Sequence, residues 1–224
     1  MDETAENAKI EVDKALAVDG DSEAPIYVMR HGRTALDKLD RSDGWLDFPL
    51  TDDGRRGIMP AQQFLKSLPK PIACIYYPSL KRTTETADII KSGMGSKPAE
   101  MIVSDEARTW NLGIELIGSK KQPAKPIVRF YMRHPDKCPK DGESLNDFRK
   151  RFLTWFKEQM AEEKDGPILM IVSGSNIREI SQCLTGNRDL LDLDEGGLLK
   201  LQPIGKMWHG YIIMGGKDTP DEES

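Results

Sequence analysis

The sequence predicts an α/β fold, a three-layer sandwich whose mostly parallel central sheet is flanked by helices on both faces. Three observations predict it. Short apolar runs alternate with amphipathic segments of helix length from residue 25 to about 214, the pattern of strands joined by helical crossovers. One run, Pro167-Ile168-Leu169-Met170-Ile171-Val172-Ser173, is apolar almost throughout and suits a strand at the centre of the sheet, buried on both faces. With 38% apolar residues in 224, the chain can bury one sizeable core, so one domain is expected rather than two.

The elements follow in order. Residues 1–24 carry eight acids against Lys9 and Lys14 with weak periodicity, and read as an acidic N-terminal tail. Residues 25–29 form the first strand, which runs into Arg30-His31-Gly32, and a polar loop follows to Thr51. Thr51 is placed to cap a helix over roughly 53–68 whose inward face is Ile58, Ala61, Phe64, Leu65 and Leu68. A strand at 72–77 leads to Ser79, a candidate cap for a helix carrying Ala87, Ile89 and Ile90, with Arg82 in its first turn. A third strand is expected at 101–104, then the loop Thr109-Trp110-Asn111-Leu112-Gly113.

The segment 118–142, rich in Lys, Arg and Pro with little regular pattern, reads as a basic lid or insertion. Ser144 and Asp147 are spaced as a variant capping box for a helix to about residue 164. After the central strand comes a helix over 176–185, then strands near 197–202 and 207–214. The stretch 217–224 is a second acidic tail, and the body 25–216 between the tails is mildly basic although the whole chain has a net charge of −5.

These numbers exclude several classes of function. No run approaches the ~20 apolar residues of a membrane span, and no basic stripe with interleaved aromatics suits nucleic acid. Cys74, Cys138 and Cys183 are odd in number and far apart, as in a reducing compartment, so a soluble cytoplasmic protein is expected. A mildly basic body suits a small anionic substrate.

The chemistry collects where strands end. Arg30 offers a fixed fork of donors to phosphate oxygens, and the His31 imidazole can act as nucleophile, base or acid near neutral pH. Gly32 would let backbone approach a ligand closely. Arg82 sits near a helix N-terminus whose free amides favour anions. The turn Ser173-Gly174-Ser175-Asn176 follows the central strand, so all of these can meet on one sheet edge, where such folds bind ligands. Gly113 to Lys120 spells Gly-x-x-x-x-Gly-Ser-Lys, but a P-loop requires Lys directly after the second Gly. His134 and Cys138 alone make a poor metal pair.

Taken together the motifs resemble the histidine phosphatase superfamily, which includes the cofactor-dependent phosphoglycerate mutases. The resemblance rests on Arg30-His31-Gly32, on Asp43-Gly44-Trp45 and Leu50-Thr51-Asp52-Asp53-Gly54, on Ser79 to Ala87 as Ser-x-x-Arg-x-x-x-Thr-Ala, one residue short of the family's Ser-x-x-x-Arg-x-x-x-Thr-Ala, and on Gly142-Glu143-Ser144. It implies a phosphomonoester hydrolase in which His31 becomes phosphohistidine while Arg30 and Arg82 hold the phosphoryl oxygens, with Thr34, Asp37, Gly44, Ser173 and Gly174 on the substrate. No metal or other cofactor is implied, and the partner is a small phosphorylated substrate. Two departures stand out. Ser173 occupies the position of the family's second pocket histidine, and Thr109 that of the mutase branch's glutamate acid; Glu115 or Glu106 could replace the latter. The alternatives are a non-catalytic phosphate- or protein-binding module and a mutase-type isomerase.

Overall fold

The computed structural model describes residues 24–95, 99–114, 116–162, 164–205 and 207–217. Nearly all of both expected acidic tails, and Glu115, lie outside the described residues.

Six strands form one sheet in the order β3-β2-β4-β1-β5-β6. They are β1 (Ile26–Arg30), β2 (Cys74–Tyr77), β3 (Glu100–Val103), β4 (Ile168–Val172), β5 (Leu193–Ile204) and β6 (Met207–Gly216). The first four run parallel, and β5 and β6 form an antiparallel hairpin beside β1. The helices are α1 (Ala35–Lys38), α2 (Asp52–Lys66), α3 (Lys81–Ser92), α4 (Lys121–Arg133), α5 (Leu145–Ala161) and α6 (Gly174–Thr185).

The three layers follow from the period of two along each central strand. Ile26, Val28, Met170 and Val172 face one core with Phe148, Phe152 and Phe156 of α5 and Ile177 and Ile180 of α6. Tyr27, Met29, Leu169 and Ile171 face the other, with Ile58, Ala61 and Leu65 of α2 and Ala87 and Ile90 of α3. Every residue of β1 and β4 is buried, as an all-apolar central strand requires.

Four local expectations are corrected. Segment 118–142 contains a regular helix, α4, despite its prolines. Pro123 is tolerated because the first-turn amides have no helical acceptor, although Pro126 lies further inside the helix. The polar loop after Gly32 begins with the one-turn helix α1, capped by Thr34. Ser79 does not cap α3: its hydroxyl donates to Asp105 at 2.8 Å, and the Lys81 amide at the head of α3 donates to Asp47, 2.6 Å away. A carboxylate reaching in from a distant loop has taken the role that spacing assigned to a local serine. Finally, Gly32 is required by packing. A Cβ there would lie 2.7 Å from Ile58 Cδ1 and 2.8 Å from the Gly54 carbonyl oxygen, so the glycine lets β1 and α2 approach.

Candidate active site

Register places the site. Arg30 pairs with Val172 across β1 and β4, so the next residues, His31 and Ser173, leave the sheet side by side. The His31 amide still donates to the Val172 carbonyl at 3.1 Å. Arg82, two residues into α3, arrives from the end of β2. These residues line a cleft of about 500 Å³ together with Asp37, Asp43, Gly44, Thr109, Gly174 and the inner face of α4. The cleft lies at the carboxyl ends of the parallel strands.

His31 is 3% exposed, and its Nδ1 lies 2.9 Å from the Gly32 carbonyl oxygen. A carbonyl only accepts, so Nδ1 carries the proton and the Nε2 lone pair is left for chemistry. Burial, reinforced by Arg82, pushes the imidazole pKa down to about 3. The ring is therefore neutral at pH 7, the state a nucleophile needs.

The arginines are largely committed to the protein. Arg30 donates through Nη1 to the Leu193 carbonyl at 2.7 Å and through Nη2 to Glu195. Arg82, wholly buried, donates to the carbonyls of Leu46 at 2.9 Å and Gly44 at 2.8 Å. It thereby holds the 44–46 loop over the cleft. Gly44 adopts φ +50°, and a Cβ there would strike Ile117 at 2.7 Å, so glycine suits both the turn and the packing. The Nε of each arginine has no partner among the described residues.

Two carboxylates face the same space, and the sequence reading passed over one of them. Asp37 accepts from the Thr34 amide at 3.1 Å and lies 3.4 Å from Lys121 Nζ and 3.9 Å from Arg30. Burial works to raise its pKa, but His31, Arg30, the Thr34 amide and Lys121 outweigh it and hold Asp37 at about 2. Asp43 has no cation within ion-pair distance among the described residues; its hydrogen bond comes from the Thr34 hydroxyl at 3.0 Å. Burial, then the neighbouring Asp37, pushes Asp43 up to about 6 against the pull of Arg82. Thr34 itself is wholly buried and does not line the cleft; it stands behind both acids. One signal was available: Asp37 and Asp43 are two carboxylates within twelve residues of His31. Their meeting depends on how the loop between them folds back.

One ring nitrogen of His31 and one oxygen each of Asp37 and Asp43 lie within 4.8 Å of one another. Among the described residues this is the trio that could hold a metal ion, although Arg30 and Arg82 already bring positive charge to it. Of the other candidates, Thr109 lines the cleft but its hydroxyl bonds that of Ser175. Glu106 is exposed and outside the cleft lining. Glu143 of the Gly-Glu-Ser element accepts from the Asn111 amide at 2.9 Å and from Arg151 at 2.6 Å, which ties down the 109–113 loop. His134 packs on Phe130 at the end of α4, and His209 lies on β6; neither lines the cleft.

Comparison with known proteins agrees with this fold. The chain is 27% identical over 168 residues to phosphoglycerate mutase of Schizosaccharomyces pombe, covering 72% of this chain and 79% of that one. It is 26% identical to the 2,3-bisphosphoglycerate-dependent phosphoglycerate mutase of Chlamydia pneumoniae, covering 85% and 96%. Among solved structures, a mycobacterial glucosyl-3-phosphoglycerate phosphatase superposes with a TM-score of 0.68 at 21% identity, over 84% of this chain and 98% of that one. Residues 26–200, which span the sheet through most of β5 and every residue placed in the cleft, match the histidine phosphatase superfamily (branch 1), and the chain belongs to that family.

Proposed function

We propose that this protein hydrolyses a phosphomonoester through a phosphohistidine on His31. The observation that carries the reading is the state of His31: a buried, neutral imidazole whose Nδ1–H is fixed on the Gly32 carbonyl, beside two buried arginines at a sheet edge. Nε2 attacks phosphorus, and the guanidinium charges of Arg30 and Arg82 face the oxygens as charge gathers there. Water then attacks the phosphohistidine and releases phosphate. Ser173, standing beside His31 where the family carries a second histidine, offers a hydroxyl in place of a cation, so turnover is slower than with two histidines.

The cleft also suggests the kind of ester. Leu112, Leu116, Val128 and Met132 supply apolar wall, while Lys125 and Arg129 on the inner face of α4 make no ion pair among the described residues. An ester with an apolar body and a second anionic group fits this lining.

A second reading, a binding module that does not turn over, is favoured by Thr109, which is bonded to Ser175 where an acid would act. Phosphate release from a panel of monoesters, including esters with a second anion, separates the two. Release that disappears in His31→Ala is the expected result. Phosphate binding without release marks the module, and interconversion of phosphoglycerates without net release marks a mutase.

A further inference from the structure

We propose that Asp43 is the proton donor and acceptor of the reaction, taking the place of the acid that Thr109 cannot supply. The proposal rests on the phosphatase reading. It starts from a count of protons. The Thr34 hydroxyl faces Asp43 at 3.0 and 3.1 Å and Asp37 at 3.1 Å, yet it has one proton to give. Two carboxylates around one donor leave an oxygen facing another oxygen unless one acid is protonated. Asp37 is the one kept ionised, because it alone of the pair is within 4 Å of Arg30 and Lys121. The proton therefore belongs on Asp43.

Position agrees with that assignment. Asp43 is 8% exposed and lines the cleft, and one of its oxygens is within 4.8 Å of a His31 ring nitrogen. The groups that face it are Asp37 of α1, Arg82 of α3, Lys121 of α4 and His31 at the end of β1. Burial, then the charge of Asp37, outweighs the pull of Arg82, the Thr34 hydrogen bond and Lys121 and raises the carboxyl to a pKa of about 6, near the operating range where acid–base catalysis works best. The other acid of the cleft lining, Asp189, has a side chain 67% exposed and lies against Arg178, which suits it poorly to the task.

The steps balance. As Nε2 of His31 forms its bond to phosphorus, the bond from phosphorus to the ester oxygen breaks, and that oxygen takes the Asp43 proton to leave as an alcohol. Asp43, now a carboxylate, takes a proton from the water that attacks the phosphohistidine. The N–P bond breaks, phosphate departs, and His31 and Asp43 return to their starting states.

Leaving-group dependence reads this role directly. Hydrolysis of p-nitrophenyl phosphate, whose phenolate leaves without help, is compared with that of alkyl phosphates in wild type, Asp43→Asn and Glu115→Gln. Asp43→Asn is expected to slow alkyl esters at least about a hundredfold and the nitrophenyl ester far less. The alkaline limb of the pH–rate profile, where the donor loses its proton, should shift as well, with the thermal midpoint retained at pH 4. An equal loss on all esters overturns the proposal, as does the same signature in Glu115→Gln with Asp43→Asn unaffected. A wild type silent on every ester overturns both this assignment and the phosphatase reading, whereas the first two results leave the phosphatase reading intact.

Discussion

Arg30 and Glu195, 165 residues apart in sequence, meet in an ion pair in which the two side chains are 8% and 11% exposed. Burial and the nearby Asp37 raise the Glu195 pKa, but Arg30, a backbone amide and the Arg33 hydrogen bond together outweigh them and hold the carboxylate below its ordinary range. The hairpin of β5 and β6 thus reaches the cleft through one carboxylate, which also engages Arg33 at 3.2 Å. Glu195→Ala leaves the buried guanidinium with the Leu193 carbonyl and, 3.9 Å away, the Asp37 carboxylate, and the expected loss of stability is about 3 kcal/mol. Urea unfolding measures it. Loss of phosphate affinity should accompany it, because Arg30 is no longer held in one position.

His31 and Asp43 act on stability in opposite directions. His31 is depressed from 6.5 to about 3, so the unfolded state takes up a proton that the folded state refuses. Its stabilising effect is complete above the unfolded pKa and is lost as pH falls, roughly 2 kcal/mol by pH 5. Asp43 is raised from 3.8 to about 6; the folded state binds that proton more tightly, and the advantage is lost as pH rises through 6. Asp43→Asn should therefore be more stable than wild type at pH 8, by about 3 kcal/mol, and should lose that advantage at pH 4. His31→Asn should flatten the stability curve between pH 6.5 and 4. Thermal melts across that range check both, and a destabilised Asp43→Asn at pH 8 would falsify the charge assignment.

What the sequence made legible was local chemistry at strand ends. Arg30, His31, Arg82, Ser173 and Gly174 all follow parallel strands, and the topology rule that joins them needs only the order of elements. Asp43 was missed because its place depends on a loop fold: the bridge between Thr34 and Leu50 and the Arg82 bonds to Gly44 and Leu46 turn residues 43–46 back over His31. Glu195 was missed because a hairpin strand carries no mark of the side chain it will meet. Thr34 was legible as a site residue but not as one that works from behind the acids. For Ser79 and α4, spacing and proline content argued for a local answer, and a distant carboxylate and an amphipathic face overrode it.

Gly32 tests the distinction between ligand approach and packing. An added methyl group meets the Gly54 carbonyl oxygen at 2.8 Å, a backbone atom that cannot swing aside, as well as the more pliable Ile58 side chain. Gly32→Ala should destabilise the protein by about 2 kcal/mol through overpacking, seen as a lower thermal midpoint with or without phosphate. A variant as stable as wild type but unable to bind phosphate would return Gly32 to the role of admitting the ligand.

Ser173 offers the opposite kind of test, a gain. It is 7% exposed at the mouth of the cleft and immediately follows the strand paired with β1. The Asn176 carboxamide accepts from its backbone amide at 3.3 Å, a bond that any residue other than proline preserves, so this half of the capping box at the start of α6 remains when the hydroxyl half is lost. A histidine here would share the cleft lining with Asp37, whose carboxylate is ionised, and that charge favours the imidazolium. The added cation faces the phosphoryl oxygens where the wild type presents a hydroxyl. Ser173→His should raise the rate of phosphate release by about a hundredfold, the effect of one well-placed donor in a dry site. Single-turnover formation of phosphohistidine shows whether the gain lies in the first step, where charge gathers on the oxygens. A rate that falls instead would mean that the cleft has already balanced its two arginines against Asp37 and Asp43 and has no use for a third cation.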